Sequence, residues 1–328
     1  MRLFHLDARI KTAARLARGV AAQRLGKDQP LFAACFITKR CNVRCDGCVY
    51  YDHLDPHLQN DDADTEGWLT ILRRLAEGKV AVALLAGGEP FLRKDLHELL
   101  RGGHEAGISL CVVTNGMVDN PQALAALDQY AEWAVFSPHP PEEVGPYGEE
   151  RWQEAWAGFA ELRRATKRTT LNCSVTVGRH TADRMDEICE RAIDAGADNI
   201  RFHPNYIVEQ FPTADQVDRF LGAVRRWRAK RPDVVMASDE YIARFPTFFG
   251  PKPVVPCTAN RRFHLGVLPD GTVSACCPQV VHMGNLLEQP LSSMLRQELP
   301  VRDDCYGCQR LDLLQTLALC GSRGLPLA

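Results

Sequence analysis

This chain has no apolar run long enough to cross a bilayer as a helix. It also has no excess of charge: 39 basic and 41 acidic side chains leave a formal net charge of −2. The first absence excludes a helical membrane-spanning protein. The second removes the electrostatic footprint of a nucleic-acid binder. The N-terminal stretch carries Arg2, Arg9, Lys11, Arg15 and Arg18 but neither the apolar core nor the cleavage site of a secretory signal. The expected compartment is therefore a reducing cytoplasm. What the chain has in quantity is cysteine, 13 in 328 residues. In a non-secreted chain of this size such thiols point to metal binding or catalysis over disulfides.

Cys41, Cys45 and Cys48 form a CxxxCxxC triplet directly after the apolar run Leu31 to Ile37. Apart from Cys35, inside the preceding apolar run, no fourth cysteine stands nearby, whereas structural zinc takes four closed ligands. Three thiolates can instead hold three irons of a 4Fe–4S cluster and leave the fourth iron open to a substrate or cosubstrate. A second motif, Gly87-Gly88-Glu89-Pro90, also follows an apolar run.

Together the triplet and Gly87 to Pro90 resemble the radical S-adenosylmethionine (radical SAM) superfamily. The resemblance implies that Cys41, Cys45 and Cys48 ligate a 4Fe–4S cluster. Its open iron chelates the amino and carboxylate groups of SAM. Gly87, Gly88, Glu89 and Pro90 help hold the methionine amino group. An electron from a reducing partner such as flavodoxin or ferredoxin then cleaves SAM to a 5′-deoxyadenosyl radical, which takes hydrogen from a substrate. One position departs from the family: the residue before the third cysteine is usually aromatic and here is Gly47. Tyr50 or Tyr51 is the expected ring beside the adenine.

From residue 31 to about 231, short apolar runs alternate with longer amphipathic segments. Strands are expected at 31–38, 80–86, 109–114, 133–137, 170–177 and 199–203, and helices near 64–77, 93–106, 121–130, 150–167, 181–195 and 214–230. Six strand–helix repeats imply parallel strands joined by right-handed crossovers, too few for a full eight-unit barrel. The expected fold is α/β, a partial (β/α)6 TIM-like barrel, as in the family resembled, with a small C-terminal α+β module. The expected domains are an amphipathic helix in 1–30, the barrel in 31–234 and the module in 235–328. Ligands of such sheets sit at the C-terminal strand ends, where both motifs fall.

The same ends carry Asn115, Ser137, His139 and His203. Asn115 and Ser137 resemble family positions that contact the ribose or the methionine carboxylate. Asn172 and Ser174 lie on strand five, and Asn172 is the expected cofactor contact there. Each also reads as a residue that satisfies nearby backbone. His139 stands where many relatives carry an acid. It and His203 are the candidate acid/base residues, because imidazole titrates near neutrality.

Leu3, Leu6, Ile10, Ala14, Ala17 and Val20 recur at helical spacing, with basic residues on the other face. The helix either packs on the enzyme body or touches a membrane or lipid through residues 1–24. Packing is the expected use.

Beyond Pro251, Pro253 and Pro256 come Cys257, a hairpin signal at Pro269-Asp270-Gly271, then Cys276, Cys305 and Cys308. Four thiolates can close a zinc site or a second 4Fe–4S cluster. The spacing resembles the SPASM and twitch auxiliary-cluster modules of radical SAM enzymes, which implies a cluster on Cys257, Cys276, Cys305 and Cys308. Cys277 is an alternative to Cys276, since strand alternation sends only one of the two to the site. Cys320 is expected as a nearby non-ligand thiol. Cys35, Cys111, Cys173 and Cys189 are expected in the core.

The expected activity is reductive SAM cleavage followed by hydrogen abstraction from a small molecule: a sugar, an aminocyclitol or a lipid-like compound. Net oxidation and epimerisation both remain open. Residues 204–210 and 239–249 resemble segments of relatives that act on hopanoid lipids. Modification of a ribosomally made peptide is the alternative. It is less favoured because residues 1–30 leave no room for a leader-binding domain. A non-enzymatic iron–sulfur or zinc protein is a third reading, against which the GGEP motif argues.

Overall fold

The computed structural model describes residues 3–46, 48, 61–144, 148–205, 207–249, 264–276 and 279–297; the side chains of 3–9, 276, 279 and 280 are not among those described. Helix α1 (Leu3–Arg24) comes first. Six strand–helix units follow: β1 (Phe32–Phe36), α2 (Thr65–Glu77), β2 (Val82–Ala86), α3 (Leu96–Glu105), β3 (Ser109–Thr114), α4 (Pro121–Tyr130), β4 (Trp133–Phe136), α5 (Gly148–Ala165), β5 (Thr170–Val177), α6 (Met185–Asp194), β6 (Asn199–Pro204) and α7 (Ala214–Lys230). After them come α8 (Asp239–Arg244), β7 (His264–Val267), β8 (Thr272–Cys276), β9 (Gln279–Asn285) and α9 (Leu291–Met294).

Local chemistry sets the helix starts. Asp64 accepts the Gly67 N–H at 2.8 Å ahead of α2, whose Trp68, Ile71, Leu72 and Leu75 are buried at helical spacing. Asn120 caps α4, with Pro121 at its first position. Thr213 and Gln216 close a capping box on α7.

The nine strands among the described residues form one sheet in the order β6-β5-β4-β3-β2-β1-β7-β8-β9. Strands β1 to β6 are parallel, in the order the repeats predict. The C-terminal hairpin does not stand apart from them. β7 pairs with β1 in parallel, Phe32 opposite His264 and Cys35 opposite Val267, and β8 and β9 continue antiparallel. Residues 235–249, expected with the C-terminal module, pack on the barrel instead. Val235 bridges Ile200, the Tyr241 hydroxyl donates to the Phe202 carbonyl, and Phe245 lies 4.8 Å from Phe220 between ring centres.

Helix α1 docks through a face other than its apolar stripe. Ile10 is 55% exposed, whereas Thr12 is buried. Thr12 Oγ1 lies 2.7 Å from Ser109 Oγ, and Arg15 donates to the same hydroxyl at 2.8 Å. Leu16 packs against Ala81, Val82 and Cys111, at the N-terminal ends of the barrel strands. The helix thus packs on the body, as expected, but polar pairing with Ser109 selects the face. No helix among the described residues is long and apolar enough to cross a membrane.

Candidate active site

The Gly87–Pro90 segment is paired, backbone to backbone, with the loop that opens the cysteine triplet. Gly88 N donates to Thr38 O at 2.8 Å, and Glu89 N donates to Arg40 O at 2.7 Å. A Cβ on Gly87 would stand 2.5 Å from Thr38 O, and one on Gly88 would stand 2.0 Å from Arg40 O. Gly87 also has φ +131°, open to glycine at no steric cost. The two glycines let the triplet loop lie flat on the end of β2.

Glu89 secures the next strand. Its fully buried carboxylate accepts from Asn115 N at 2.8 Å, Phe91 N at 3.0 Å and Thr114 Oγ1 at 2.9 Å. Burial outweighs these donors and pushes the group up to about 7. Both oxygens of Glu89 are therefore committed to the loops after β2 and β3, and Pro90 begins the short turn behind it.

A cavity of about 140 Å³ opens on this rim. Cys41, Cys45 and Cys48 line it on one side. Gly87, Gly88 and Asn115 line the next, and Ser137 and His139 face it from the end of β4. Cys48 N donates to Cys45 O at 3.3 Å, a tight turn that keeps these thiols together. Burial, then the mutual repulsion of the three, pushes the Cys45 thiol far up, and burial raises Cys41. Bound iron would take these sulfurs as thiolates and release their protons. Among the described residues no three His, Cys, Asp or Glu side chains converge closely enough for a single metal ion. Three thiols around a shared hollow suit a multi-atom cluster, with glycine edges and the amide of Asn115 beside it for a polar cosubstrate.

The remaining expected residues are placed as follows. His139 Nδ1 is 3.1 Å from Glu143 Oε2. His203 sits below, on the inner face of β6, with Nδ1 3.2 Å from Ser174 Oγ and Nε2 2.8 Å from Thr176 Oγ1. Burial and the nearby charge of His139 push His203 down to about 4. Asn172 is not brought to the cavity. It is fully buried lower on β5, donates to Ala134 O at 3.5 Å and accepts from Asn199 at 2.8 Å. Tyr50, Tyr51, Cys257, Cys277, Cys305, Cys308 and Cys320 lie outside the described residues, and Cys276 is described as backbone only. Cys35, Cys111, Cys173 and Cys189 are buried, as expected.

Three supports were missed from sequence. Asp62 accepts the Thr38 hydroxyl at 2.6 Å and fixes the turn before Cys41. Asp46, inside the triplet, is bound through its N–H to Glu143 O at 2.6 Å and through its carboxylate to Gln210 Nε2 at 2.8 Å. Arg201 shares the inner face of β6 with His203, a parity readable from the strand alone. A larger groove of about 510 Å³ lies outside, between α6 and α7. There Arg219 and Arg226 are paired with Asp183 and Asp186, and none of the rim's chemistry is present.

Two family models match the chain: the radical SAM superfamily over residues 35–192 and the iron–sulfur cluster-binding SPASM domain over residues 257–320. The chain belongs to the radical SAM superfamily. It is an enzyme of that superfamily with a C-terminal SPASM module, and its cofactors are SAM, the SAM-binding 4Fe–4S cluster and an auxiliary cluster. It is similar to the PqqA peptide cyclase of Xanthomonas campestris pv. campestris, 26% identical over 262 residues that cover 75% of this chain and 67% of that one. Among solved structures it resembles Streptococcus suis SuiB bound to the precursor peptide SuiA. The TM-score is 0.64 at 17% identity, covering 90% of this chain and 70% of that one. It also resembles anSMEcpe with bound AdoMet and the Cp18Cys peptide, with TM-score 0.61, 16% identity and coverage of 89% and 88%. At such identities these two likenesses concern the fold.

Proposed function

We propose that this radical SAM enzyme modifies a peptide, with Cys41, Cys45 and Cys48 as ligands of the SAM-binding cluster. The observation that carries the reading is the three-thiol cavity at the barrel's C-terminal rim, in a chain whose relatives include PqqA peptide cyclases. That relationship supports the peptide reading over a sugar, aminocyclitol or lipid substrate. With cluster and SAM bound, the pair supplies an adenosyl radical that takes hydrogen from the substrate.

The chain's own residues have separable tasks. Gly87 and Gly88 bring the triplet loop against β2, Glu89 ties that end to β3, and Asn115 and Ser137 present polar atoms to the cosubstrate. His139, held by Glu143, is the proposed proton carrier, through Nε2. Cys257, Cys276, Cys305 and Cys308 are the proposed ligands of the auxiliary cluster.

The test is anaerobic reconstitution followed by SAM, dithionite and a library of short peptides, read by mass spectrometry. A peptide that loses two hydrogen atoms, with 5′-deoxyadenosine formed in step, supports the reading. SAM cleavage stimulated by sugars or lipids and by no peptide would overturn it.

A further inference from the structure

Asn115 closes the turn after β3 with one end of its amide and reaches the cysteine triplet with the other. Its Oδ1 accepts from Met117 N at 3.0 Å, an Asx turn, and Gly116 takes φ +90° where the chain reverses. A backbone N–H can meet only the amide oxygen, so this bond fixes which end is nitrogen. Nδ2 is thereby turned to the triplet. It donates to Asn42 Oδ1 at 2.8 Å and lies 3.9 Å from Cys41 Sγ, within reach of an N–H···S contact. The amide nitrogen carries a proton for each partner. Asn115 N is held in turn by Glu89 Oε2 at 2.8 Å. The residue is thus anchored on both sides, at the wall of the cavity that the three thiols share.

The turn alone does not call for asparagine. Aspartate supplies the same acceptor and forms the same Asx turn, but when ionised it has no donor. What asparagine adds is the N–H pair, and that pair faces the triplet. Asn42, the neighbour of Cys41, is the acceptor that keeps the amide from rotating. Main-chain donors reach the same sulfur: burial raises the Cys41 thiol, and the N–H groups of Val43 and Asn42 pull against that rise. The Asn115 amide adds a side-chain donor to them. Its Oδ1 has a second lone pair, so a cosubstrate contact through the oxygen is compatible with this arrangement.

We propose that Asn115 sets the reduction potential of the SAM-binding cluster by directing an amide N–H at the Cys41 sulfur. The inference rests on Cys41, Cys45 and Cys48 as the cluster ligands and is independent of the substrate. Reduction adds one electron, taken from the reducing partner, to the iron–sulfur core and its thiolates. The positive end of an N–H beside a ligand sulfur favours the form with more negative charge, which is the reduced one. Without that donor the cluster is harder to reduce. In this role Asn115 acts through Cys41 and not on the substrate.

The experiment is a redox titration of the anaerobic holoenzyme, followed by electron paramagnetic resonance. The signal that changes on adding SAM belongs to the SAM-binding cluster, and its midpoint is measured without SAM. Asn115→Leu should make that cluster about tenfold harder to reduce, which for one electron lowers the midpoint by about 59 mV. Asn115→Asp keeps the Asx turn, sets a carboxylate against the sulfur and should lower the midpoint further. Asn115→Gln keeps a donor and should stay nearer the parent. Each variant is required to hold the parent's iron content; if the Leu variant fails this check, Asn115→Ala replaces it. A loop merely loosened gives the opposite sign, because admitted water also favours the more negative, reduced form. A midpoint unchanged or raised in the iron-replete Leu or Ala variant would therefore overturn the proposal. Cys41→Ala should lose the SAM-responsive signal; its persistence there would overturn the ligand assignment, and the proposal with it.

Discussion

Asp46 and Gln210 are 164 positions apart in the chain and meet side chain to side chain at 2.8 Å. The contact joins the loop that carries the cysteine triplet to the loop after β6, across the mouth of the barrel. Gln210 is buried, and its Oε1 accepts from Arg179 at 3.1 Å, so the strap has a fixed far end. Gln210→Leu should loosen the triplet loop without unfolding the barrel. A lost hydrogen bond of about 1 kcal/mol corresponds to about a fivefold shift. Bleaching of the cluster's visible absorption in air should therefore run about fivefold faster, at unchanged thermal midpoint. Equal bleaching rates would show that the strap does not govern the loop.

Gly88→Ala should be more severe than its size suggests. The added methyl would stand 2.0 Å from Arg40 O, a backbone atom that cannot swing away. Overpacking of this kind costs about 1–3 kcal/mol. The strain falls on the residue before Cys41, so iron loading should fail before the fold does. Circular dichroism and iron content of the same reconstituted sample separate the two.

Cys45→Ala should remove about four irons per chain and abolish SAM cleavage. Cys305→Ala should remove a similar number and leave the SAM-binding cluster in place. Iron, sulfide and zinc analysis of both variants checks the assignment. A zinc in the parent that disappears with Cys305 would replace the auxiliary cluster by a structural metal.

His203 makes folding stability depend on pH. Its folded value is about 4, against an ordinary 6.5. The unfolded chain therefore binds the extra proton between those values. Stability is fully present above 6.5 and is lost as pH falls toward 4, by up to about 3 kcal/mol. Denaturant melts from pH 7 to 4 should show that slope, and His203→Gln should flatten it.

Much of the architecture was legible because it rests on period and punctuation. The six strands and their helices alternate with buried runs and capped starts such as Asp64 and Thr213, and those signals are local. The rim residues Cys41, Gly87, Asn115, Ser137 and His139 were legible because strand ends in a parallel sheet share one edge. What stayed hidden depends on contacts between distant segments. Helix α1 presents Thr12 and Leu16 inward, because Ser109, nearly a hundred residues on, offers a hydroxyl that no periodicity reveals. Asn172 has the inward parity of Ser174, but Asn199 and Ala134 claim its amide below the rim. Strand β7 could be read as a hairpin arm, yet nothing within it announces a parallel seat on β1.

That seat on β1 has an electrical consequence. β7 runs with β1, and β8 runs back, so Cys276 at the end of β8 lies toward the level of His264 and Phe32, where β1 begins. Cys41 lies beyond Phe36, where β1 ends. The five residues between those levels span about 16 Å. With Cys41 and Cys276 as ligands, the two iron centres would sit on opposite shores of the same sheet, their separation set by a rigid ladder of backbone hydrogen bonds. An electron passing between them would cross a gap of nearly constant width, whatever substrate occupies the barrel.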